Sequence, residues 1–397
     1  MPGAHLGVQA QAASGESSGT KGQPSDGLTM WPIMLTMSEI EVDKEEPMTT
    51  VRVRGETVRK FILSNLEKHP SDIVRVASEK FGYSRQAIHK HLQRLFEEGA
   101  ITQEGQTRNK TYHLAPLVEW SKEYILSTGI TEDYVWRADI APSLGKLPEN
   151  ALNIWHYGFT EMFNNALDHS GGSVVSVGLK KIAVATEIEL YDNGIGIFKK
   201  IQAAMNLLDE RHAVLELAKG KFTTDPTNHS GEGIFFSSRM FDEFVILSGG
   251  VYFSHQFDER EDWIIQPSGA AGGTLVRMVL HNHTARTTKK VFDRFSSGDD
   301  YGFTKTVVPV KLMRYGDDNL ISRSQAKRLL ARFDRFKVVM LDFSGVSMIG
   351  QSFADEVFRV FRHQHPEVEL MTLHANSEVK RMITRAYALG GEADGRR

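Results

Sequence analysis

The chain predicts a multidomain protein of mixed α+β and α/β class. Three observations carry that expectation. Between residues 56 and 98 apolar side chains recur at three- and four-residue spacing, and after Gly99 they give way to short alternating runs. Between 151 and 283 a helical apolar pattern is followed by alternating segments at Val174–Leu179, Thr186–Tyr191 and Gly272–Leu280, which read as strands. From Val338 onward strand and helix patterns alternate twice, which implies a small α/β layer.

The length of 397 residues allows two to four domains at roughly 100–200 residues each. A net charge of −3 argues against a whole-chain polycation, so basic regions must be sought locally. The absence of cysteine excludes a disulfide framework, thiolate zinc sites and cysteine nucleophiles. No apolar run reaches the roughly 18 residues of a membrane span, and the N-terminus lacks the basic-then-apolar pattern of a secretory signal. A soluble cytoplasmic protein with no membrane partner is expected. Residues 1–48 are rich in Gly, Ser, Gln and Ala, too poor in apolar periodicity to offset their ordering entropy, and are expected to form a disordered tail. Met30, Met37 and Met48 read as candidates for the true translation start.

Residues 49–116 make the first folded unit. Val58, Phe61, Ile62 and Leu66 share one helical face, and Ile73, Val76 and Ala77 share a second. Gly82-Tyr83 turns the chain. Ser84 is placed to cap a third helix, whose inner face carries Ala87, Ile88, Leu92 and Leu95. Strands at Ala100–Glu104 and Lys110–Leu114 flank a polar hairpin tip. This order resembles a winged helix-turn-helix, and Ser84-Arg-Gln-Ala-Ile-His-Lys-His-Leu92 resembles the recognition helix of bacterial winged-helix regulators. Between Val51 and Leu114 stand twelve basic and seven acidic residues. Arg85, Gln86, His89 and Lys90 on the outer face suit the major groove of double-stranded DNA. Arg108 and Lys110 at the hairpin suit the backbone or minor groove. A winged helix used for protein contacts is the alternative.

Residues 117–150, with Trp120, Trp136 and Pro142, are expected to be an ordered linker. The unit 151–283 holds the chemistry-bearing motifs. Glu161 and Asn165 stand four apart and share a helix face, which Asp168 and His169 extend by one turn. A Glu and an Asn stacked on a buried helix need partners. Asp192-Asn-Gly194-Ile-Gly196 ends an alternating strand, and Gly231-Glu-Gly233 opens a helix downstream. Together these residues resemble the ATP pocket of the GHKL superfamily, the α/β sandwich of gyrase, MutL-type repair proteins, histidine kinases and anti-sigma serine kinases. The resemblance implies ATP and Mg²⁺. It gives Asn165 the metal and Glu161 the attacking water. Asp192 receives the adenine amino group. Asp168, His169, Gly194, Gly196, Gly231, Gly233 and the strand residue Thr274 receive lesser parts in nucleotide binding. Phe222–Ser230 would form a lid. Bulky Phe235 and Phe236 depart from the glycine-rich kinase pattern. No Walker lysine motif is present, and 117–150 is too short and too broken for a phospho-acceptor histidine bundle.

Residues 284–303 are polar and expected to link to a third unit, 304–390, with a frayed end beyond. Asp342-Phe-Ser-Gly-Val-Ser-Met-Ile-Gly-Gln351-Ser352-Phe-Ala-Asp355 resembles the strand–turn–helix of STAS domains, and more closely the STAS-like domains of unknown function that follow GHKL pockets. The resemblance makes Ser352 a possible phospho-acceptor; the residue also reads as a helix N-cap. The whole is expected to be a nucleotide-controlled DNA-binding regulator, with slow ATP hydrolysis and a homodimer as further expectations and a protein partner at the STAS-like unit. The alternative is an anti-sigma-type serine kinase acting on a STAS-like serine in cis or trans.

Overall fold

Three helices and a hairpin begin the part of the chain that the computed structural model describes, which comprises residues 50–106, 109–222, 231–256, 263–265, 272–296, 302–313 and 319–394. The expected tail 1–48, Arg108 and nearly all of the expected lid lie outside the described residues. Helices α1 (Thr50–Asn65), α2 (Ile73–Phe81) and α3 (Arg85–Glu97) bury Ile62, Ile73, Ala77 and Ile88 completely in a core of their own. Gly82 ends α2 with φ +67°, a left-handed value that costs glycine little, and its N–H closes on the Ser78 carbonyl. Ser84 caps α3, its Oγ accepting from the Ala87 N–H at 3.2 Å. Strands β1 (Ile101–Glu104) and β2 (Thr111–Leu114) pair antiparallel. The Tyr112 N–H, bonded to the Pro70 carbonyl at 2.9 Å, docks this hairpin on the α1–α2 connection.

The segment expected to link, 117–150, is instead built into the next layer. Strand β3 (Val118–Ile125) pairs along its full length with β4 (Val174–Lys181). Helices α4 (Glu132–Val135) and α5 (Ala141–Leu144) are joined by one π-type turn and fold back on the layer, where Tyr124 OH and Lys122 Nζ both donate to Asp139 Oδ2. Next come α6 (Glu149–His169), β5 (Ala185–Asp192), α7 (Ile197–Met205), α8 (Glu210–Lys219), α9 (Gly233–Met240), β6 (Glu243–Ser248), β7 (Val251–Gln256), β8 (Trp263–Ile265) and β9 (Thr274–His281). Among the described residues they form a seven-stranded antiparallel sheet in the order β3-β4-β5-β9-β6-β7-β8. Alternate residues of β4, β5 and β9 are buried on one face, against which α6, α8 and α9 pack.

The polar span 284–303 is also not a free linker. Helix α10 (Thr288–Phe295) buries Val291 and Phe295. Strand β10 (Lys305–Pro309), helix α11 (Arg323–Leu330), β11 (Val338–Asp342), α12 (Gln351–Asp355), α13 (Arg362–Gln364), β12 (Glu369–Leu373) and α14 (Ser377–Asp394) complete the chain. The three strands run parallel in the order β10-β11-β12, with Val307, Met340 and Met371 in register. Parallel strands need helical crossovers, which α11, α12 and α13 supply. One hydrophobic core runs from Tyr124 to Ala386 through both sheets. Helix α8 makes this possible: residues 212–219 are buried on every face, between the seven-stranded sheet's helical layer and β10.

Packing is close where α6 meets the residues leading into β6. A Cβ added at Gly158 would lie 2.3 Å from the Phe241 ring, which itself packs at 4.8 Å on Trp155. Gly158→Ala should therefore overpack this site, cost about 1–3 kcal/mol and lower the melting midpoint. An unchanged midpoint would remove the steric reading of this contact.

Candidate functional site

Helix α6 separates two chemistries by its period. Trp155, Phe159 and Phe163 are fully buried in the core. Glu161, Asn165 and His169, spaced by four, rise half-buried beside Met162 and Ala166 into a cavity of about 270 Å³. The cavity floor is apolar, from Leu190, Ile246 and Val276 of three neighbouring strands.

Asp192 closes β5 at the cavity edge and is 7% exposed. It stands in register with Thr274, the first residue of β9, and accepts from the Gly194 N–H at 2.9 Å. Burial raises its pKa above the ordinary carboxylate value, and hydrogen bonds from Gly194 and Thr274 offset part of that rise. The Thr274 hydroxyl also accepts the Ile197 N–H at 3.0 Å, fixing the start of α7.

Gly194 and Gly196 do not line the cavity; they let the loop after Asp192 pack against its neighbours. A Cβ at Gly194 would sit 2.2 Å from the Ser170 carbonyl at the end of α6. Gly196, at φ +91°, approaches Ser248 closely enough that its Cβ would lie 2.7 Å from Oγ. The Ile195 N–H to Ser170 carbonyl bond of 3.0 Å ties the same loop to α6. Local backbone contacts thus hold the Asp192 strand end against the helix that carries Glu161 and Asn165.

The opposite wall begins at α9. Gly233 abuts the carboxylate of Glu161 so closely that a Cβ would lie 2.0 Å from Oε2. Burial raises the pKa of Glu232, with Lys221 opposing, and burial likewise raises that of Tyr157, helped by Glu161 and Glu232. Acidic charge is therefore concentrated at this end of the cavity. Gly231, at φ +71°, backs onto Phe222, whose N–H donates to the Gly231 carbonyl at 3.1 Å.

Of the residues singled out from the sequence, Glu161, Asn165, His169, Asp192, Gly231, Gly233 and Thr274 converge on this cavity. Asp168 does not: in the last turn of α6 it is exposed to solvent, beside the cavity-lining His169 and Ser170 but on the outer face. Reading motifs alone missed Lys200 and Ile201 of α7 and Leu217 of α8, whereas Phe222, the first residue of the expected lid, does line the cavity. Lys200 Nζ donates to the His169 carbonyl at 2.8 Å, and partial burial lowers its pKa. The apolar spacing of Ile197, Phe198 and Ile201 after Gly196 was the available signal.

Elsewhere, Arg85, Gln86, His89 and Lys90 share the exposed side of α3. Lys110 lies over the Tyr112 ring, 5.5 Å from its centroid. Ser352 is not an N-cap: Gly350 holds that position, and Ser352 sits exposed within the first turn of α12.

Residues 325–380 match a family described as a STAS-like domain of unknown function (DUF4325), from within α11 to the first turn of α14. No curated protein matches the chain. Among the described residues no helix is long and apolar enough to cross a membrane.

The raised pKa of Asp192 has a sign that can be tested. A carboxyl whose folded pKa exceeds its unfolded value costs stability at neutral pH, and that cost disappears as pH falls through the raised value. Asp192→Asn should therefore melt above the wild-type protein at neutral pH, with the gap closing near pH ~4. A lower midpoint at neutral pH would contradict the assignment of burial as the dominant cause.

Proposed function

We propose that the protein is a DNA-binding regulator whose central domain binds Mg-ATP in a GHKL-like pocket. One observation carries the proposal: Asp192 with Thr274, and the Glu161–Asn165 face of α6, open onto the same cavity. The donor set fits a purine nucleotide. A buried carboxylate with a raised proton affinity is a charge-assisted acceptor for an exocyclic amino group. The Asn165 amide offers an oxygen ligand suited to Mg²⁺. Gly233 supplies bare backbone at the start of α9, with no room for a side chain beside Glu161. When bound, Mg²⁺ would neutralise phosphate charge. Glu161, half-buried at that end, would orient or deprotonate a water.

The helices and hairpin of residues 50–114 would then act as a winged helix-turn-helix. Arg85, Gln86, His89 and Lys90 would face the major groove, and Lys110 a phosphate. The module is attached to the central sheet: the Leu117 N–H donates to the Lys181 carbonyl at 2.7 Å, and Ala183 packs on the module's core. Nucleotide control of DNA affinity requires that ATP favour one placement of the two over another. The STAS-like unit would offer a surface to a protein partner, and a homodimer would read a two-fold symmetric site.

Calorimetry with Mg-ATP should give a measurable affinity, weakened about ten-fold or more, or about 1.4 kcal/mol, in Asn165→Ala and in Asp192→Ala. No heat from the wild-type protein would end the nucleotide proposal. DNA selection with and without Mg-ATP should return an enriched site whose affinity responds to the nucleotide. Lys90→Ala should weaken that binding and lower the salt slope by about 0.9 if it contacts one phosphate; an unchanged slope and affinity would move DNA off α3. Any ATP turnover should vanish in Glu161→Ala, and unaltered turnover there would assign the water to another group.

A further inference from the structure

The STAS-like unit reaches the wall of the cavity. Phe222, a cavity residue, ends a strap that leaves α8 through Gly220 and Lys221. Each residue of the strap is held by the turn 332–335, which follows α11. Arg332 Nη2 donates to the Gly220 carbonyl at 2.6 Å, and its guanidinium lies 5.3 Å from the Phe222 ring centroid. Its Nη1 donates to Glu216 Oε2 at 2.6 Å. Arg335 Nη1 donates to the Lys221 carbonyl at 3.1 Å, while Lys221 Nζ returns a bond to the Arg335 carbonyl at 2.9 Å. From the other side, a Cβ at Gly220 would strike Phe303 at 2.6 Å and Phe235 at 2.9 Å.

We propose that Arg332, a residue of the STAS-like unit, is a positioning residue for the nucleotide cavity, acting through the strap Gly220–Phe222. The proposal rests on the nucleotide reading above. Arg332 does three things at once that only a planar fork can combine: it pairs with a carboxylate, donates to a carbonyl and covers a ring face. Its own backbone is left-handed, φ +67°, at the point where α11 gives way to β11. Phe222 in turn meets Gly231, so the grip passes to the start of α9 and to Gly233 beside Glu161. Coupling of this kind is reciprocal: if the turn 332–335 biases the cavity wall, occupancy of the cavity must bias the turn by the same free energy.

The test combines calorimetry with amide hydrogen exchange on the full chain, using Mg-ATP as the probe. In the wild-type protein, Mg-ATP should slow exchange in 219–222 and also in 332–336. Arg332→Lys keeps a cation beside Glu216 and loses the fork. It should weaken Mg-ATP about ten-fold, about 1.4 kcal/mol, and lose the nucleotide-dependent protection of 332–336. Glu216 keeps its buried partner Lys219 at 2.7 Å when Arg332 is replaced, so Arg332→Gln, which removes the cation and the fork but leaves that pair, should show the same two losses with a cooperative melting transition retained. Lys327→Ala, on the exposed side of α11 in the same unit, should change neither readout. Wild-type affinity in both Arg332 variants, or no protection of 332–336 in a wild-type protein that binds Mg-ATP, overturns the proposal alone. A wild-type protein that does not bind Mg-ATP overturns the nucleotide reading with it.

Discussion

Phe235 is the contact on which the architecture turns. Its side chain lines the cavity, while its ring packs at 5.0 Å on Phe295, 4.4 Å on Phe303 and 5.3 Å on Phe236. Phe303 carries the cluster on to Phe336 at 5.3 Å, next to β11. Each such pair is worth about 0.5–1.5 kcal/mol beyond its burial. A seam of several pairs is therefore large against a net stability of about 5–15 kcal/mol. Phe235 and Phe236 stood out in the sequence as a departure from a glycine-rich pattern. Their physical role is to anchor the C-terminal sheet to α9, so flexibility at this position is exchanged for a shared core.

Helix α8 answers a second demand of that shared core, namely how charge survives inside it. Lys219 is fully buried, Glu216 nearly so, and Arg332 is 11% exposed at its side chain. Lys219 Nζ meets Glu216 at 2.7 Å and the carbonyls of Arg328 and Ala331 at 3.1 and 3.0 Å. Burial lowers the Lys219 pKa to about 8 despite the opposing pull of Glu216. Such a network adds little net stability compared with apolar packing of the same volume. What it fixes is register, because α8 can satisfy its charges only with the turn after α11 in one place. The aromatic seam supplies adhesion and the ions supply alignment.

The sequence was most informative where the physics is local. The caps and turns at Gly82 and Ser84, the four-residue spacing of Glu161 and Asn165, and the strand ending at Asp192 all depend on neighbours within a few positions, and all stand where the pattern put them. It was least informative where pairing is non-local. β3 is half exposed at the sheet edge and has little alternation, so only its partner β4 reveals it as a strand. β10 and α11 likewise acquire meaning from β11. The polar surface of α10 resembled a linker because its apolar face is narrow, Val291 and Phe295 alone being buried. Asp168 stands at the right end of α6 but on its solvent face, since its neighbours His169 and Ser170 line the cavity while Asp168 itself is exposed. Ser352 has a cap's chemistry two residues too late in the chain, since Gly350, with extended ψ, takes the cap; a Cβ at Gly350 would meet the Ile321 backbone at 2.7 Å.

The cavity has two walls with different attachments, and this limits how a bound nucleotide could act. The Asp192 wall ends β5, and Asn193 Oδ1 accepts the Val174 N–H at 3.1 Å at the start of β4. The β4–β5 hairpin reaches from there to Lys181 and Ala183, where the N-terminal module rests, about 25 Å away at ~3.3 Å per residue. Paired strands of that length tilt as a unit far more easily than they stretch, so this wall would transmit rotation to the N-terminal module. The Phe222 wall hangs from a three-residue strap gripped by Arg332 and Arg335, so displacement there would load or release a turn of the C-terminal unit instead. The two routes leave the cavity through different elements, the β4–β5 hairpin and the segment 220–222. If a nucleotide binds as proposed, its two ends would press on walls attached to different flanking units, so each unit would feel a different part of the same ligand.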